Sequence, residues 1–351
     1  MSNEIIISGR KIGPAFAPYV IAEMSANHNG KIETALRLID EAKKSGADAI
    51  KMQTYRPDTI TLKSNLPDFR IDEGLWAGHT LYELYEWAHT PWDWHKTLFE
   101  YANSIDLTIF SSPFDSTAID LLEDLNAPAY KIASFEAIDL SLIKYAASTH
   151  KPLIISTGMA DADEIKEAIA AARDGGCKDL AVLHCVSGYP APASDYNLRT
   201  IRDMIERYGL VTGLSDHTLD NTTAITSIAL GASIIEKHFT LDREGGGPDD
   251  SFSLEPQGLS ELCFGVNTAW HALGKVDYSR KSSEESNLKF RRSLYFVKSL
   301  KAGEVVTEDS VRSIRPGYGL APKYLHTVLG SVLVSNVDCG TPVSFNLLKK
   351  C

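Results

Sequence analysis

From Tyr19 to about Trp270, short apolar runs alternate with amphipathic stretches. YVIAEMS precedes ETALRLIDEAKKSG, AIKMQTY precedes a long insertion and WDWHKTLFEYANS, and LTIFSSPF precedes STAIDLLEDL. Continuous apolar runs bounded by turn residues predict buried parallel strands, and the 3.6-residue apolar period between them predicts crossover helices. AYKIAS, PLIISTG, DLAVLHCVSGYP, LVTGLSDH and SIIEKHFTL continue the rhythm, so eight strands are expected. Eight βα units in a length near the ~250 residues typical of such folds predict a closed (β/α)8 TIM barrel rather than an open doubly wound sheet. One crossover helix shows the local logic. In DADEIKEAIAAARDGG, Asp161 and Glu164 can form a capping box, Ile165, Ala168, Ile169 and Ala172 make an apolar face, and Gly175 and Gly176 supply the stop.

Between the second strand and its helix lies DTITLKSNLPDFRIDEGLWAGHTLYELYEWAHTPWDW, on the face where such barrels keep ligand loops, and a lid is one expectation for it. After AWHALGK the pattern turns polar in KVDYSRKSSEESNLK, then resumes as short apolar runs broken by Gly, Pro and Asn. The expected organisation is a barrel over 1–275, a linker with room for a short helix over 276–290, and a small β-rich domain over 291–351. That last piece is too small to bury much core alone.

With 44% hydrophobic and 23% charged residues, the 351-residue chain has the composition of a folded globular protein. Its net charge of -11 argues against a general nucleic-acid or anionic-membrane binder, but leaves room for a small anion held by local lysines. Cys177, Cys185, Cys263, Cys339 and Cys351 are odd in number and lack CxxC spacing, which disfavours a disulfide framework or zinc knot. No secretory leader or membrane-spanning run is read from the sequence, so a cytoplasmic protein is expected.

Barrel sites gather side chains from the C-terminal ends of several strands. The polar residues there are Glu23, Asn27 and His28; Lys51 and Gln53; Ser111 and Ser112; Lys131 and Ser134; Ser156; Ser187 and Tyr189; Ser215, Asp216 and His217; and Glu236, Lys237 and His238. His217 and His238 end neighbouring strands, and closure brings Glu23 beside the last one. A metal with two imidazoles fits there, as does a plain structural use of the histidines as core hydrogen-bonding groups. Lys51 and Lys131 interrupt apolar strands, where an ammonium needs a carboxylate or an anionic ligand. With Ser134, Ser156 and Ser215 they suit a phosphate; a buried ion pair and a Schiff-base lysine are the rivals. Cys185 reads as a core thiol. Trp76, Trp87, Trp92 and Trp94 suit packing or a sugar face, Asp249 and Asp250 suit sugar hydroxyls or an exposed turn, and Arg315 sits in a Pro-Gly turn as a fork-shaped donor.

Taken together, IAEMSANHNG, GADAIKMQTY, FSSPFD, YKIASFE, ISTGMA, LHCVSGYP, GLSDHT and EKHFTLD resemble the ordered barrel motifs of the sialic acid synthase family. RRSLYFVKSLKAGEVVTEDSVRSIRPGYGLAP resembles that family's antifreeze-like C-terminal domain. The resemblance implies a transferase that condenses phosphoenolpyruvate with an acetamido-sugar aldehyde. EMSANHNG and LWAGHTLYELYEWAHTPWDW are closest to the branch whose acceptor is 2,4-diacetamido-2,4,6-trideoxy-L-altrose, rather than the N-acetylneuraminate or legionaminic acid branches. It further implies a divalent metal on His217 and His238, manganese with magnesium or cobalt as substitutes, and catalytic roles for Glu23, Glu236, Lys51 and Lys131. Phosphoenolpyruvate contacts fall on Lys51, Ser112, Lys131, Ser134, Ser156, Ser187 and Ser215. Gln53, Tyr189 and Asp249 face the sugar, and Arg315 reaches the partner subunit's pocket in a domain-exchanged homodimer. Ser112 and Ser187 stand where neuraminate synthases often carry Thr and Asn. A noncatalytic sugar-binding barrel is the alternative of a different class.

Overall fold

The computed structural model of the protein describes residues 4–349. A short hairpin comes first, β1 (Ile5–Ile7) and β2 (Arg10–Ile12). Eight parallel strands follow and close on themselves: β3 (Tyr19–Glu23), β4 (Ala49–Thr54), β5 (Thr108–Pro113), β6 (Tyr130–Ile132), β7 (Leu153–Ser156), β8 (Leu180–Cys185), β9 (Val211–Asp216) and β10 (Ile234–His238). The closing seam pairs β10 with β3, and Glu23 lies opposite His238.

Two apolar layers hold the barrel. Strand residues that point outward, such as Val20, Ile50, Ile109 and Leu214, pack under the ring of helices. Inward ones, Ile21, Phe110, Ile154, Leu183 and Ile234, fill the lower lumen with Ile5, Ile7 and Ile12 of the hairpin. The hairpin thus seals the N-terminal end, a job the sequence pattern did not reveal. Filling the lower lumen with branched side chains leaves only its C-terminal end to hold polar groups.

The helix Ala162–Asp174 begins as its sequence predicts: Asp161 accepts from the Asp163 and Glu164 N–H groups, and Glu164 answers from the third position. Ala168 and Ala172 of its apolar face are buried, and Ile165 and Ile169 are partly so. The insertion after β4 is ordered rather than a bare loop. It carries a helix, Leu81–Ala88, capped by a reciprocal Thr80–Glu83 box, and Trp76 Nε1 donates to the Pro248 carbonyl at 2.8 Å, which ties the insertion to the loop after β10.

The chain divides into two compact units, Met1–Gly274 and Lys275–Cys351. The second begins in extended chain and a 3-10 helix, Ser282–Phe290, and continues with two antiparallel pairs: β11 (Ser293–Phe296) with β12 (Val311–Ile314), and β13 (Val332–Leu333) with β14 (Leu348–Lys349). Leu294, Phe296, Val306, Val311, Val328 and Val343 form its own small core. Cys177, Cys185, Cys263 and Cys339 are free thiols; Cys351 lies outside the described residues. Among the described residues, no helix is long and apolar enough to cross a membrane.

Candidate active site

Period-two alternation along the strands sends Glu23, Lys51, Gln53, Lys131, Ser215 and Glu236 to the same side, into the upper lumen. There they line a cavity of about 300 Å³ with Ser112, Ser134, His217, His238, Tyr189 and Asp249. Strand register explains the neighbours: Glu23 lies beside Lys51, Gln53 beside Ser112, and Glu236 beside Ser215.

The floor is a charge cluster. Lys51 Nζ lies 2.5 Å from Glu23 Oε2 and 3.8 Å from Glu236 Oε2, and Lys131 Nζ lies 3.1 Å from Glu236 Oε1. Lys51 also donates to Ser112 Oγ at 3.1 Å, and Ser215 Oγ to Glu236 Oε1 at 3.2 Å. Burial pushes the Glu23 carboxyl above its ordinary range, and Lys51 only partly offsets this. Burial acts on Glu236 too, but Lys131 and Lys51 together outweigh it and hold that carboxyl below its usual range. Burial alone would lower the Lys131 ammonium; Glu236 and then Glu23 reverse the effect and keep it protonated. Lys51 and Lys131 are thus paired with Glu23 and Glu236 and still border open cavity.

Beside this floor is a set of hydroxyls. Ser134 Oγ accepts the Gly158 N–H at 3.1 Å, while the buried Ser156 and Ser187 Oγ atoms have no protein partner. A Cβ placed on Gly158 would come 2.3 Å from Ser187 Oγ and 2.8 Å from Ser134 Oγ, so glycine is what keeps this corner open. Unpartnered buried hydroxyls fit an anion with several acceptor oxygens. Ser156 and Ser187 are not in the cavity wall itself; they lie outside its lining.

Two residues beyond Ser215 and Glu236, the ends of β9 and β10 carry the imidazoles, with ring centroids 5.4 Å apart. His217 Nδ1 donates to the Val186 carbonyl at 2.8 Å, which leaves Nε2 as a lone-pair donor. Among the described residues His238 makes no side-chain hydrogen bond, and its buried Nδ1 has no partner. Burial lowers both, His217 to about 4 and His238 well below its ordinary value, so both rings are neutral at pH 7. Among the described residues no three His, Cys, Asp or Glu side chains converge as a metal cage. Two neutral imidazoles, one tautomer-locked and one orphaned, do fit an open site for a borderline divalent cation whose other positions go to water or substrate oxygen.

Above the imidazoles, the Tyr189 ring lies 4.3 Å from His217 and 6.0 Å from Trp76. Gln53 Nε2 donates at 3.0 Å to both Glu23 Oε1 and Ser25 Oγ, and Ser25 donates in turn to Asp249. Burial raises Asp249 to about 6 against the Ser25 bond. Of the four tryptophans weighed, only Trp76 reaches the cavity. Trp94 packs in the core against His28, Trp92 donates to the Tyr55 carbonyl, and Trp87 stacks on His79.

Other strand-end candidates serve the scaffold. His28 donates from Nε2 to Thr90 and accepts the Gly30 N–H on Nδ1, Asn27 bonds the Phe239 carbonyl and Ser253, and Ser111 bonds the Met52 carbonyl. Asp250 ties Thr240, Asn29 and Gly247 together in the loop after β10. Cys185 borders the cavity, its thiol raised by burial. Arg315 lies in the second unit, exposed and without a side-chain bond among the described residues.

Among the lining or supporting groups that escaped the sequence reading are Ser25 and Glu136. Ser25 is the relay between Gln53 and Asp249. Glu136, on the turn after β6, borders the cavity with a buried, unpartnered Oε2, and burial raises it to about 7 against the pull of Lys131. Its only sequence signal was its place two residues beyond Ser134 at a strand end.

A barrel with this strand-end set defines a family. The NeuB family model matches residues 38–278, and a SAF domain model matches 291–349. The chain belongs to the NeuB family. It is 42% identical over 329 residues to the pseudaminic acid synthase of Helicobacter pylori, covering 93% of this chain and 96% of that one. It is 34% identical to the N,N'-diacetyllegionaminic acid synthase of Legionella pneumophila, with 97% of each covered. Among solved structures, the N-acetylneuraminic acid synthetase from Leptospira borgpetersenii in complex with citrate superposes with a TM-score of 0.73 at 30% identity, covering 83% of this chain and 97% of that one.

Proposed function

We propose that this enzyme condenses phosphoenolpyruvate with open-chain 2,4-diacetamido-2,4,6-trideoxy-L-altrose and water, releasing pseudaminic acid and phosphate. The observation that carries this reading is the 42% identity to the Helicobacter pylori pseudaminic acid synthase across almost all of both chains. The pocket supports it by bringing Lys51, Lys131, Ser112, Ser134 and Ser215 into one cavity with His217 and His238.

In this reading Lys51, Lys131, Ser112, Ser134 and Ser215 bind phosphoenolpyruvate, and the orphaned Ser156 and Ser187 hydroxyls complete the phosphate corner. A divalent cation held by His217 and His238, manganese with magnesium or cobalt as substitutes, supplies polarisation of the sugar aldehyde when bound. Gln53, Tyr189 and Asp249 orient the sugar chain. C3 of phosphoenolpyruvate bonds to the aldehyde carbon, positive character develops at C2, and water adds there. The resulting tetrahedral carbon expels phosphate by C–O cleavage, so phosphorus is never attacked. Glu23 or Glu236 moves the protons of the attacking water and the alkoxide, and Glu136 borders the same cavity.

The partner reading is a domain-exchanged homodimer. Phe135, Ile138 and Met159 follow strand ends at the barrel mouth and leave an exposed apolar rim, while Arg315 is exposed in the second unit with the apolar Tyr318 three residues on. Four free thiols suit a reducing cytoplasm.

The deciding experiment offers the protein phosphoenolpyruvate, manganese and each of three acceptors: the diacetamido-trideoxy-altrose, N-acetylmannosamine and the legionaminic precursor. Product mass and NMR identify the sugar acid. Preference for either other acceptor would move the enzyme to that branch, and no condensation with any would overturn the reading. In oxygen-18 water, released phosphate should carry no solvent label.

A further inference from the structure

Each pocket imidazole is preceded in the chain by one member of a buried ion pair. Asp216 precedes His217 at the end of β9, Lys237 precedes His238 at the end of β10, and the register of the two strands sets Lys237 beside Asp216. Alternation sends these two side chains to the sheet face opposite the lumen, and neither lines the cavity. Lys237 Nζ lies 2.8 Å from Asp216 Oδ2, and both side chains are at most 1% exposed. The ammonium also donates to the Thr218 carbonyl at 2.5 Å and to its Oγ1 at 3.3 Å. Asp216 in turn accepts the Thr218 N–H at 2.9 Å and its hydroxyl at 3.1 Å.

Burying two charges is costly, and a packed apolar pair is often as stable or more so. What this pair adds is geometry. It locks the Asp216–Thr218 turn, with His217 at its centre, onto Lys237, the residue that precedes His238. The other holds on His217 agree: its N–H donates to the Tyr196 hydroxyl at 2.6 Å, and its carbonyl accepts the Ala191 N–H at 3.1 Å. Among the described residues His238 has no side-chain hydrogen bond, so its ring is placed by its backbone and by packing against Phe252, 5.1 Å between centroids.

We propose that Asp216 and Lys237 are positioning residues that set the spacing of His217 and His238 for a divalent cation. The inference rests on the two-imidazole reading above. Its test uses the full chain and manganese alone, with free ion counted by EPR at a temperature well below unfolding, and phosphoenolpyruvate alone titrated by tryptophan fluorescence. Lys237→Met should weaken manganese about 10- to 100-fold, the usual cost of disturbing a metal ligand's support, and leave phosphoenolpyruvate affinity within about twofold. The double variant Asp216→Asn/Lys237→Met leaves no unpaired charge and decides the question if the single variant does not fold; the same loss is expected. If His217→Ala loses manganese but the double variant keeps wild-type affinity, the positioning role is overturned while the two-imidazole reading stands. If both ligands weaken together, general loosening is the cause and the proposal also fails. If wild type binds manganese no better than His217→Ala, the two-imidazole reading falls and takes the proposal with it.

Discussion

Lys51 and Lys131 lie against opposite oxygens of one carboxylate: Lys131 Nζ is 3.1 Å from Glu236 Oε1, and Lys51 Nζ is 3.8 Å from Glu236 Oε2. With Lys51 also on Glu23, the floor sets two lysines against two glutamates. Lys131→Met keeps the long apolar stem and deletes one phosphate-facing charge. The expected result is a phosphoenolpyruvate KM about 10- to 100-fold higher, the scale of one charged hydrogen bond. Steady-state kinetics with sugar saturating checks it; an unchanged KM would leave Lys131 as a structural counter-ion to Glu236.

Gly158→Ala probes the hydroxyl corner. The new Cβ would overlap Ser187 Oγ and Ser134 Oγ, forcing both hydroxyls aside. Phosphoenolpyruvate KM should rise at least about tenfold, while the sugar KM and the thermal midpoint change little, because the clash meets side-chain tips rather than packed core. Equal changes in both KM values would argue against a phosphate corner.

Glu136 gives the pH dependence. Its carboxyl titrates at about 7 when folded against an ordinary 4.5, so between those values the unfolded chain binds fewer protons than the folded one. Stability contributed by the protonated group is fully present below about 4.5 and is lost as pH rises through 7. Glu136→Gln should therefore stabilise the protein by about 3 kcal/mol above pH 7 and by little at pH 4, seen in urea unfolding at both pH values. The same change should erase any limb near pH 7 in kcat/KM. A limb that persists in the variant belongs to another group.

Arg315 and His217 make a complementation test of subunit exchange. Arg315→Ala should raise the sugar KM and leave manganese and phosphoenolpyruvate binding intact, since the arginine belongs to the second unit. Mixed dimers pairing one Arg315→Ala chain with one His217→Ala chain should recover about one active pocket per dimer if each tail serves its partner. No recovery in verified mixed dimers, with both pure variants disabled, would exclude the exchange.

The periodicity of apolar runs determined the barrel by itself, because strand and helix repeats are local properties of the chain. Two-residue spacing likewise puts Glu236 with His238, and Ser215 with His217, on one face. Tertiary structure decided which strand-end groups meet. His28 and Asn27 are as polar and as well placed in sequence as Glu23, yet they turn into the scaffold; Glu136, just beyond a strand, borders the cavity, and Ser25 bonds two of its lining residues. The plug of Ile5, Ile7 and Ile12 was illegible for the same reason. A side chain's face is fixed by its neighbours in the chain, but its partner is fixed by closure of the sheet, which brings Glu23 beside His238 from opposite ends of the barrel sequence.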